Sequence, residues 1–396
     1  MEKDTLMTNF RWVRTFSEHW LAPVSLFLVL TSLMWLPDRG YFPKIHYLVI
    51  ASALLLGWSY PRNLLGLLKN PLSVMILSFV AYFALSCAWS VSEESTGVLL
   101  KRQMQVVLFI CFIFLAGRAS FVSLCRAAGF AMVFAVAMAL YEIFQFYMSG
   151  GQGRLASQGA LSNPLLISHI YGFFAALWLA CLLVADSRAQ RAWGLVSLFP
   201  LLLLLVLTGS RTPLVAFFAC FLWLVLLVRP RMLIYALAAS ALAVAVILVV
   251  MPQLITERGV SYRPEIWANV LAQSKEALWL GHGLGAALSI KLPEISYAFS
   301  DPHNMTLSVL YRGGVLGLLL WAAMYCCAAS MAWRRRTDRF VVIASATVIY
   351  GLMAGMTEGG ALFPRPKEHW FLLWIPLALL LAALDRAGRK RDARVA

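Results

Sequence analysis

The sequence predicts an all-α integral membrane protein with about twelve membrane-spanning helices. Of its 396 residues, 61% are hydrophobic and only 13% are charged, and the mean hydropathy is +0.78. Soluble domains carry about 25% charged residues, so a soluble core could not bury this much apolar surface. The same composition excludes a disordered chain, a collagen-like fibre and a secreted disulfide scaffold.

The charge balance also fits a membrane protein. The chain has 33 Lys and Arg residues against 18 Asp and Glu residues, which gives a net charge of +15. In a membrane protein, orientation signals and anionic lipid substrates explain such an excess, so we expect no nucleic-acid partner. The 7 cysteines are scattered over apolar segments without zinc-type spacing, and we expect them to be packing residues.

Candidate spans are read as apolar runs between charged residues or Pro and Gly breaks. About 20 apolar residues cross the roughly 30 Å hydrocarbon core as a helix. Such runs occur near 20–36, 43–59, 71–89, 104–117, 121–147, 164–184, 193–208, 213–228, 232–251, 304–332, 340–357 and 370–385. The residues before the first run carry charges of both signs and do not resemble a cleavable signal peptide.

Orientation follows from the basic residues. If both termini are cytoplasmic, the inner segments carry most of the Lys and Arg residues, including 334–336 and 386–394. Short loops rich in Lys and Arg remain on the cytoplasmic side of a membrane. The sequence therefore predicts a single multi-pass domain, 1–396, with both termini in the cytoplasm.

The longest hydrophilic interval, 252–304, is predicted to be an outer loop between the ninth and tenth spans. Pro264 suits the first position of a helix, which we expect to extend to Leu280 before the glycine-rich stretch 281–285. A partial apolar stripe on this helix comprises Ile266, Val270, Leu271 and Leu278. We expect this amphipathic helix to lie over the bundle at the membrane surface.

Polar residues of chemical interest gather in three outer motifs. The first is a very short turn, Thr-Gly-Ser-Arg-Thr, at 208–212. The second, Ser-Tyr-Arg-Pro-Glu-Ile-Trp at 261–267, opens the loop helix. The third, Asp-Pro-His-Asn at 301–304, leads into the tenth span ahead of the pair Gly313-Gly314.

These motifs, in this order, resemble the superfamily of bacterial O-antigen ligases and O-antigen polymerases, which are envelope glycosyltransferases. The resemblance includes span count and loop position, so it extends over essentially the whole chain. It implies that Arg211 and Arg263 bind the diphosphate of an undecaprenyl-diphosphate-linked glycan and that His303 is the base. The outer segment around Arg154 also resembles a family pattern, with looser glycine spacing, and implies a further diphosphate ligand.

Arginine chemistry agrees with those roles. A guanidinium group binds phosphate oxygens through a planar fork of donors. At an effective dielectric constant near 20, a unit charge pair at 4 Å is worth about 4 kcal/mol before desolvation. Arg211 and Arg263 would thus hold the diphosphate and stabilise the charge that develops as it leaves. The structural alternative is that both side chains only extend to the membrane interface.

A separate argument concerns His303. Asp301 is a good helix N-cap and Pro302 suits the first helical position, which predicts His303 in the first turn of the tenth span. The positive helix end disfavours imidazolium, and a neutral imidazole can accept a proton from a sugar hydroxyl. The alternative is a capping or interfacial histidine.

Other basic candidates lie nearby along the chain. Lys101 and Arg102 begin the fourth span outside, where they either add positive charge to the phosphate pocket or anchor the span at the interface. Arg312 lies nine residues after His303, so on an ideal helix it faces away from His303 and would contact another part of the substrate.

Three further residues are candidates for the cavity wall. Glu142 near the outer end of the fifth span could line the cavity or pair with an arginine. His169 and Glu358 are polar residues in the outer half that could also line it. The remaining histidines are expected at surfaces or interfaces: His19, His46, His282 and His369.

Several chemistries have no motif in the sequence. There is no Walker-type loop, no Gly-x-Ser-x-Gly or His-Glu-x-x-His motif, and no Asp-rich pair suited to a divalent metal outside. We therefore expect no cofactor and no metal.

The resemblance implies transfer of a preassembled polysaccharide from undecaprenyl diphosphate to the lipid A core at the periplasmic face of the bacterial inner membrane. The outer basic residues suit this phosphate-rich acceptor: Lys101, Arg102, Arg154, Lys275 and Lys291. Two alternatives use the same donor, an O-antigen polymerase and a protein O-oligosaccharyltransferase. A secondary transporter is a more distant alternative because the seventh to ninth spans contain almost no ionisable residues.

Overall fold

The structure is a computed structural model, and it describes residues 12–235, 237–238, 262–292 and 295–395. Within those ranges the regular structure is helical, and the only β-type pairings are isolated bridges that join Ser92 to Ala286 and Ile290 to Phe299. The predicted all-α class is therefore confirmed for the described residues.

The α-helices of the described residues are numbered here in chain order. They are α1 (Ala22–Thr31), α2 (Phe42–Ser59), α3 (Pro61–Lys69), α4 (Pro71–Ser86), α5 (Thr96–Met148), α6 (Pro164–Leu183), α7 (Arg188–Leu207), α8 (Arg211–Val228), α9 (Arg263–Ser274), α10 (Met305–Arg334), α11 (Arg339–Gly355) and α12 (Trp374–Val395). A π-helical turn, Ser17–Leu21, precedes α1, and a 3-10 turn, Glu368–Phe371, precedes α12.

Among the described residues, 8 helices are long and apolar enough to cross a membrane, or 9 if α3 and α4, which are bent by 87°, form one span. Every predicted span except the ninth coincides with a helix. The ninth, 232–251, lies mostly outside the described residues, and α11 is a shorter apolar helix. The protein is thus a multi-helix membrane protein, and the total of twelve crossings stays a prediction.

Helix α5 contains two predicted spans, 104–117 and 121–147, without a loop between them. Its 53 residues would extend over roughly 80 Å if straight, which is far longer than a bilayer core is thick. The backbone leaves helical geometry at Ser120, with φ −151° and ψ 89°, and the Ser120 hydroxyl accepts a hydrogen bond from Ser123 N. The two predicted spans are therefore the two arms of one kinked helix.

Close helix contacts depend on small residues, as is common in membrane proteins. A Cβ at Gly172 of α6 would lie 1.8 Å from the hydroxyl oxygen of Tyr350 in α11. A Cβ at Gly351 would lie 2.0 Å from the carbonyl oxygen of Leu372.

The buried core also includes His46, which was predicted at a surface or interface. Its ring packs edge-on against the Trp370 indole, with the ring centroids 4.9 Å apart, so the side chain is buried.

The helix bundle has two polar ends. At the tail end, Arg118 pairs with Asp385 and Arg386 pairs with Asp338. Helix α10 runs from Met305 at the other end, called here the loop end, back to the tail end, where Arg335 donates to the Leu384 carbonyl. The three sequence motifs meet at the loop end.

Candidate active site

Helix α9 positions Arg263 at the loop end. As predicted, Pro264 lies in its first turn, and Ile266 and Val270 are buried in a small apolar cluster with Tyr311 of α10. The helix is shorter than predicted because it ends at Ser274 and continues only as a 3-10 turn. Leu271 and Leu278 of the predicted stripe are exposed.

A tryptophan ties α9 to the segment that contains His303. The Trp267 Nε1 group donates a hydrogen bond to the Pro302 carbonyl at 3.1 Å. Arg263 begins the same helix one turn earlier, so this bond fixes the start of α9 beside residues 301–304. Two of the three motifs are therefore held together by a direct contact.

Arg263 forms an ion pair with Glu358, which lies just beyond the end of α11. The Glu358 side chain is only 9% exposed, whereas that of Arg263 is 29% exposed. Burial raises the pKa of Glu358, and the positive charge of Arg263 acts on the carboxyl in the opposite direction. The predicted cavity residue Glu358 is thus the counter-charge of the predicted site residue Arg263.

His303 precedes helix α10 instead of lying in its first turn. Asn304 is the N-cap, and its side chain accepts from Leu307 N at 3.0 Å. Asp301 was predicted as the N-cap, but its Oδ1 accepts from His303 N at 2.7 Å in a tight turn that ends before the helix. The predicted helix positions of Asp301, Pro302 and His303 are therefore wrong, because two suitable caps lie within one short segment and the second, Asn304, caps the helix.

The His303 backbone adopts the left-handed conformation, with φ 48°, which costs about 1 kcal/mol or more for a residue with a side chain. The side chain is 39% exposed, and its Nδ1 is 4.0 Å from Asp301 Oδ1, too far for a hydrogen bond. The turn therefore presents the imidazole outward at the loop end.

Arg312 is the second arginine held by this region. It donates to the Gly360 carbonyl at 3.0 Å and to the Ser308 hydroxyl. A Cβ at Gly360 would lie 2.5 Å from Pro302 Cδ, so Arg312 contacts the segment that packs under residues 301–303. The prediction that Arg312 faces away from His303 assumed that both residues lie on one ideal helix. This assumption is wrong, because His303 precedes α10.

The turn at 208–210 places Arg211 at the first position of α8. Arg154, predicted as a diphosphate ligand, braces this turn: its Nε donates to the Thr208 carbonyl at 2.7 Å and its Nη2 to the Ser210 hydroxyl at 3.0 Å. Arg211 itself is exposed. Two donors of Arg154 are thus used to hold the residues just before Arg211.

The start of α8 contacts the end of α11. The hydroxyl oxygens of Thr212 and Thr357 are 3.0 Å apart, and Thr357 is the residue before Glu358. Two consecutive residues, Thr357 and Glu358, therefore contact the segments that carry Arg211 and Arg263. This is the geometric centre of the candidate site.

A carboxylate–histidine pair beside the centre was missed in the sequence. His369 Nδ1 lies 3.1 Å from Glu368 Oε1, and the imidazole packs on Gly359, where a Cβ would lie 2.6 Å from His369 Cδ2. His369 was predicted at a surface or interface, and its side chain is only 17% exposed. The sequence signal that could have indicated this pair is the adjacent Glu and His in a polar segment before the last apolar run.

His169, predicted to line the cavity, lies in α6, which packs against the 3-10 turn of Glu368. It is only 4% exposed, and neither ring nitrogen has a hydrogen-bond partner among the described residues.

The remaining candidates lie apart from Thr357 and Glu358. Arg102 binds Glu94 through both terminal nitrogens, with Nη1 2.7 Å from Oε2, and Lys101 is exposed beside it. Glu142 is buried, and its contact in the structure is the Ser157 hydroxyl at 2.5 Å, in place of the predicted arginine.

The residues around the centre have side chains that can bind an anion and accept a proton. Arg211 stands at a helix N-terminus, where the backbone dipoles favour negative charge. Arg263 and Arg312 add positive charge, and Glu358 balances part of it. The partly exposed imidazole of His303 lies in the same region as these arginines, and such a group suits proton transfer beside a phosphate-bearing substrate.

These features define a helical membrane protein with a cationic, histidine-containing site at one end of its bundle. The sequence model of the family described as O-Antigen ligase matches residues 195–322, which include Arg211, Arg263 and His303. The chain is also 43% identical over 367 residues to an O-antigen ligase of Pseudomonas aeruginosa, covering 92% of this chain and 90% of that protein. The chain belongs to the O-antigen ligase family, which comprises glycosyl-transferring enzymes, and the resemblance seen in the sequence is confirmed.

Proposed function

We propose that this protein transfers a preassembled polysaccharide from undecaprenyl diphosphate to a sugar hydroxyl of the lipid A core. The reaction would occur at the periplasmic face of the bacterial inner membrane, with both termini in the cytoplasm. The observation that supports this best is the meeting of the segments of Arg211, Arg263 and His303 around Thr357 and Glu358.

The donor diphosphate would bind between Arg211 and Arg263. Only the Nη2 group of Arg263 contacts Glu358, and a guanidinium has five N–H donors, so Arg263 can bind phosphate oxygens without leaving Glu358. The N-terminus of α8 adds partial positive charge at Arg211. Both groups stabilise the diphosphate as a leaving group, which removes the need for a metal ion in the proposed mechanism.

His303 would act as the base. An acceptor hydroxyl oxygen attacks the anomeric carbon from the side opposite the diphosphate, and its proton moves to the imidazole of His303. The bond between the anomeric carbon and the diphosphate oxygen breaks, and the electron pair stays on the diphosphate. The configuration at the anomeric carbon is inverted, and no cofactor takes part.

The acceptor would approach from the exposed side of His303. Lys275 at the end of α9 and Lys291 in the following loop are exposed and add positive charge at the loop end. Such charge suits a lipid A core that carries phosphate groups. Surrounding membrane lipids would contact the apolar helices.

The direct test is transfer by the purified protein in lipid, with lipid-linked glycan as donor and either lipid A core or a second lipid-linked glycan as acceptor. We expect product on the lipid A core, and the His303→Ala variant should lose transfer while it still binds donor. A matched control is His282→Ala, because the His282 ring stacks on Tyr311 and its Nε2 lies 3.1 Å from the Gln273 carbonyl oxygen.

Two results would contradict the proposal. Transfer only to the second lipid-linked glycan would identify a polymerase. Solute uptake without any glycan transfer would identify a transporter.

A further inference from the structure

Four consecutive residues, 357–360, connect the segments of the candidate site and are called here the junction. Different junction residues contact different segments of the site. The contacts are those of Thr357 with Thr212 of α8, of Glu358 with Arg263 of α9, and of Gly360 with Arg312 of α10 and with Pro302. The conformation of the junction therefore sets how the arginine-bearing segments and the turn of His303 are placed relative to one another.

Gly359 gives the junction its bend, and the ring of His369 packs against it. The φ angle of Gly359 is +75°, in the left-handed region that glycine adopts without strain. A Cβ at this position would lie 2.6 Å from Cδ2 and 2.8 Å from Nε2 of His369. The imidazole thus lies directly on the junction backbone and fills the space that a side chain at 359 would need.

Glu368 orients that imidazole. Its Oε1 lies 3.1 Å from His369 Nδ1. The ammonium group of Lys367 is 3.8 Å from the same oxygen and favours the ionised carboxylate. Because a carboxylate only accepts hydrogen bonds, Nδ1 of the ring is the donor. This bond fixes the rotation of the ring, so that its opposite edge, with Cδ2 and Nε2, contacts Gly359.

The burial of Glu368 has no evident benefit for folding. Its side chain is only 3% exposed, and Oε2 has no hydrogen-bond partner among the residues that the structure describes. A buried polar atom without a partner costs about 1–3 kcal/mol. A group that is retained at such a cost beside a polar site is explained best by its effect on that site.

We infer that Glu368 and His369 are positioning residues of the transfer reaction. Glu368 orients the imidazole of His369, and the imidazole holds the junction in the conformation that keeps Glu358 on Arg263 and the Gly360 carbonyl on Arg312. The inference rests on the proposed function for the identity of the reaction. It assigns the pair no contact with substrate, because the pair acts through the junction.

The first test is the His369→Ala variant. We expect kcat per folded molecule to fall about tenfold, because small displacements of reacting groups slow a reaction strongly. KM for the donor should change less than about threefold, since the arginines keep their charge. The matched control is His282→Ala, which removes another partly buried histidine that contacts a backbone carbonyl and an aromatic ring, and its kcat should stay within about twofold of the wild type.

A conservative variant separates positioning from folding. In His369→Asn the side-chain amide can donate to Glu368 in place of Nδ1. We expect His369→Asn to retain about a third or more of the wild-type kcat, and this comparison remains available if His369→Ala folds poorly.

The pair should also act as a unit. Glu368→Ala should lower kcat about as much as His369→Ala, and the double variant should lose no more than either single variant, because Glu368 acts only by orienting the ring.

Four results would overturn the inference. These are an unchanged kcat in His369→Ala, an equal loss in His282→Ala, multiplying losses in the double variant, and a rise in KM for the donor at unchanged kcat. The last result would show that His369 contacts the donor itself.

Hydrogen–deuterium exchange tests the junction without any transfer assay. The Thr357 amide donates to the Ala354 carbonyl at 3.2 Å, where α11 leads into the junction. Exchange in peptides that contain 352–360 should be about threefold faster in His369→Ala and unchanged in His282→Ala. Unchanged exchange in His369→Ala would overturn the inference, whereas absence of transfer by the wild-type protein would contradict the proposed function alone.

Discussion

The two ends of the bundle both contain arginine–carboxylate pairs, but their surroundings differ. At the tail end, Arg118 binds both oxygens of Asp385, at 2.7 and 3.0 Å, and also lies 4.7 Å from the ring centroid of Phe114. At the loop end, Arg263 contacts one oxygen of Glu358 through one nitrogen.

The rest of each site extends this difference. Arg386 at the tail end binds Asp338 while it lies over two aromatic rings. At the loop end, the ion pair of Arg263 and Glu358 lies among other polar groups. These are His303 with its strained backbone, the buried Glu368–His369 pair and Arg312. We interpret the forked and ring-covered arginine as a contributor to the stability of the fold and propose that the singly held Arg263, near the partly exposed His303, binds a ligand.

The largest contrast is expected between alanine variants of the two arginines. Arg263→Ala should lower transfer about 100-fold or more, because a group that stabilises the leaving diphosphate is lost. Arg118→Ala should retain activity per folded molecule but lower the free energy of unfolding by about 2 kcal/mol, since Arg389 still pairs with Asp385. Transfer assays and thermal unfolding in detergent measure both effects, and loss of transfer at unchanged stability in Arg118→Ala would contradict the comparison.

A smaller effect is expected for Arg211→Lys. Lysine keeps the charge but cannot bind two phosphate oxygens through a planar fork, so KM for the donor should rise about tenfold. A second variant, Arg154→Lys, tests the support of the turn. It weakens the hydrogen bonds from Arg154 to the 208–210 turn and should raise KM for the donor less than Arg211→Lys does. Titration of transfer with donor gives both values, and wild-type kinetics in Arg211→Lys would remove this residue from the site.

The pH dependence should change in Glu358→Gln. Because burial raises the pKa of Glu358, a fall in pH protonates this carboxyl and removes a negative charge beside the proposed diphosphate site, so donor affinity should rise as pH falls. A carboxyl group with a raised folded-state pKa contributes to the free energy of unfolding at low pH, and this contribution is lost as pH rises through the folded-state pKa. The Glu358→Gln variant should therefore also lack this pH dependence of folding stability. Donor affinity against pH is the measurement, with Glu276→Gln, an exposed carboxyl, as control. The same change of donor affinity with pH in the wild type and in Glu358→Gln would contradict this role of the Glu358 carboxyl.

The smallest effect is expected from metal removal. Within the part of the chain that the structure describes, no three His, Cys, Asp or Glu side chains form a metal-binding group. Dialysis against a chelator should therefore change the transfer rate less than about twofold, as charge stabilisation is assigned to arginines. Loss of activity that Mg²⁺ restores would contradict a metal-independent mechanism.

The sequence predicts those features that depend on local patterns. Hydropathy located the long apolar helices of the described residues, and Pro264 marked the start of α9, because both signals lie within one helix. The break between the spans 104–117 and 121–147 was predicted and coincides with the kink at Ser120, but the sequence did not show that one continuous helix carries both spans. Asp301 and Asn304 are both good caps, so the local sequence could not decide between them.

The partners in the site depend on long-range packing. Arg263 and Glu358 are 95 residues apart, and nothing in either local sequence identifies the other. His369 was predicted at a surface or interface, and its neighbour Gly359 approaches it only in the folded bundle. Residue types were therefore predictable, whereas their pairing was not.

The most direct test of a shared diphosphate site is donor affinity in Arg211→Lys, Arg263→Lys and the double variant. If both arginines hold one diphosphate, their effects are coupled, and the loss of binding free energy in the double variant should differ from the sum of the single losses by about 0.5 kcal/mol or more. Strictly additive losses, as expected for residues in separate regions, would contradict a single site.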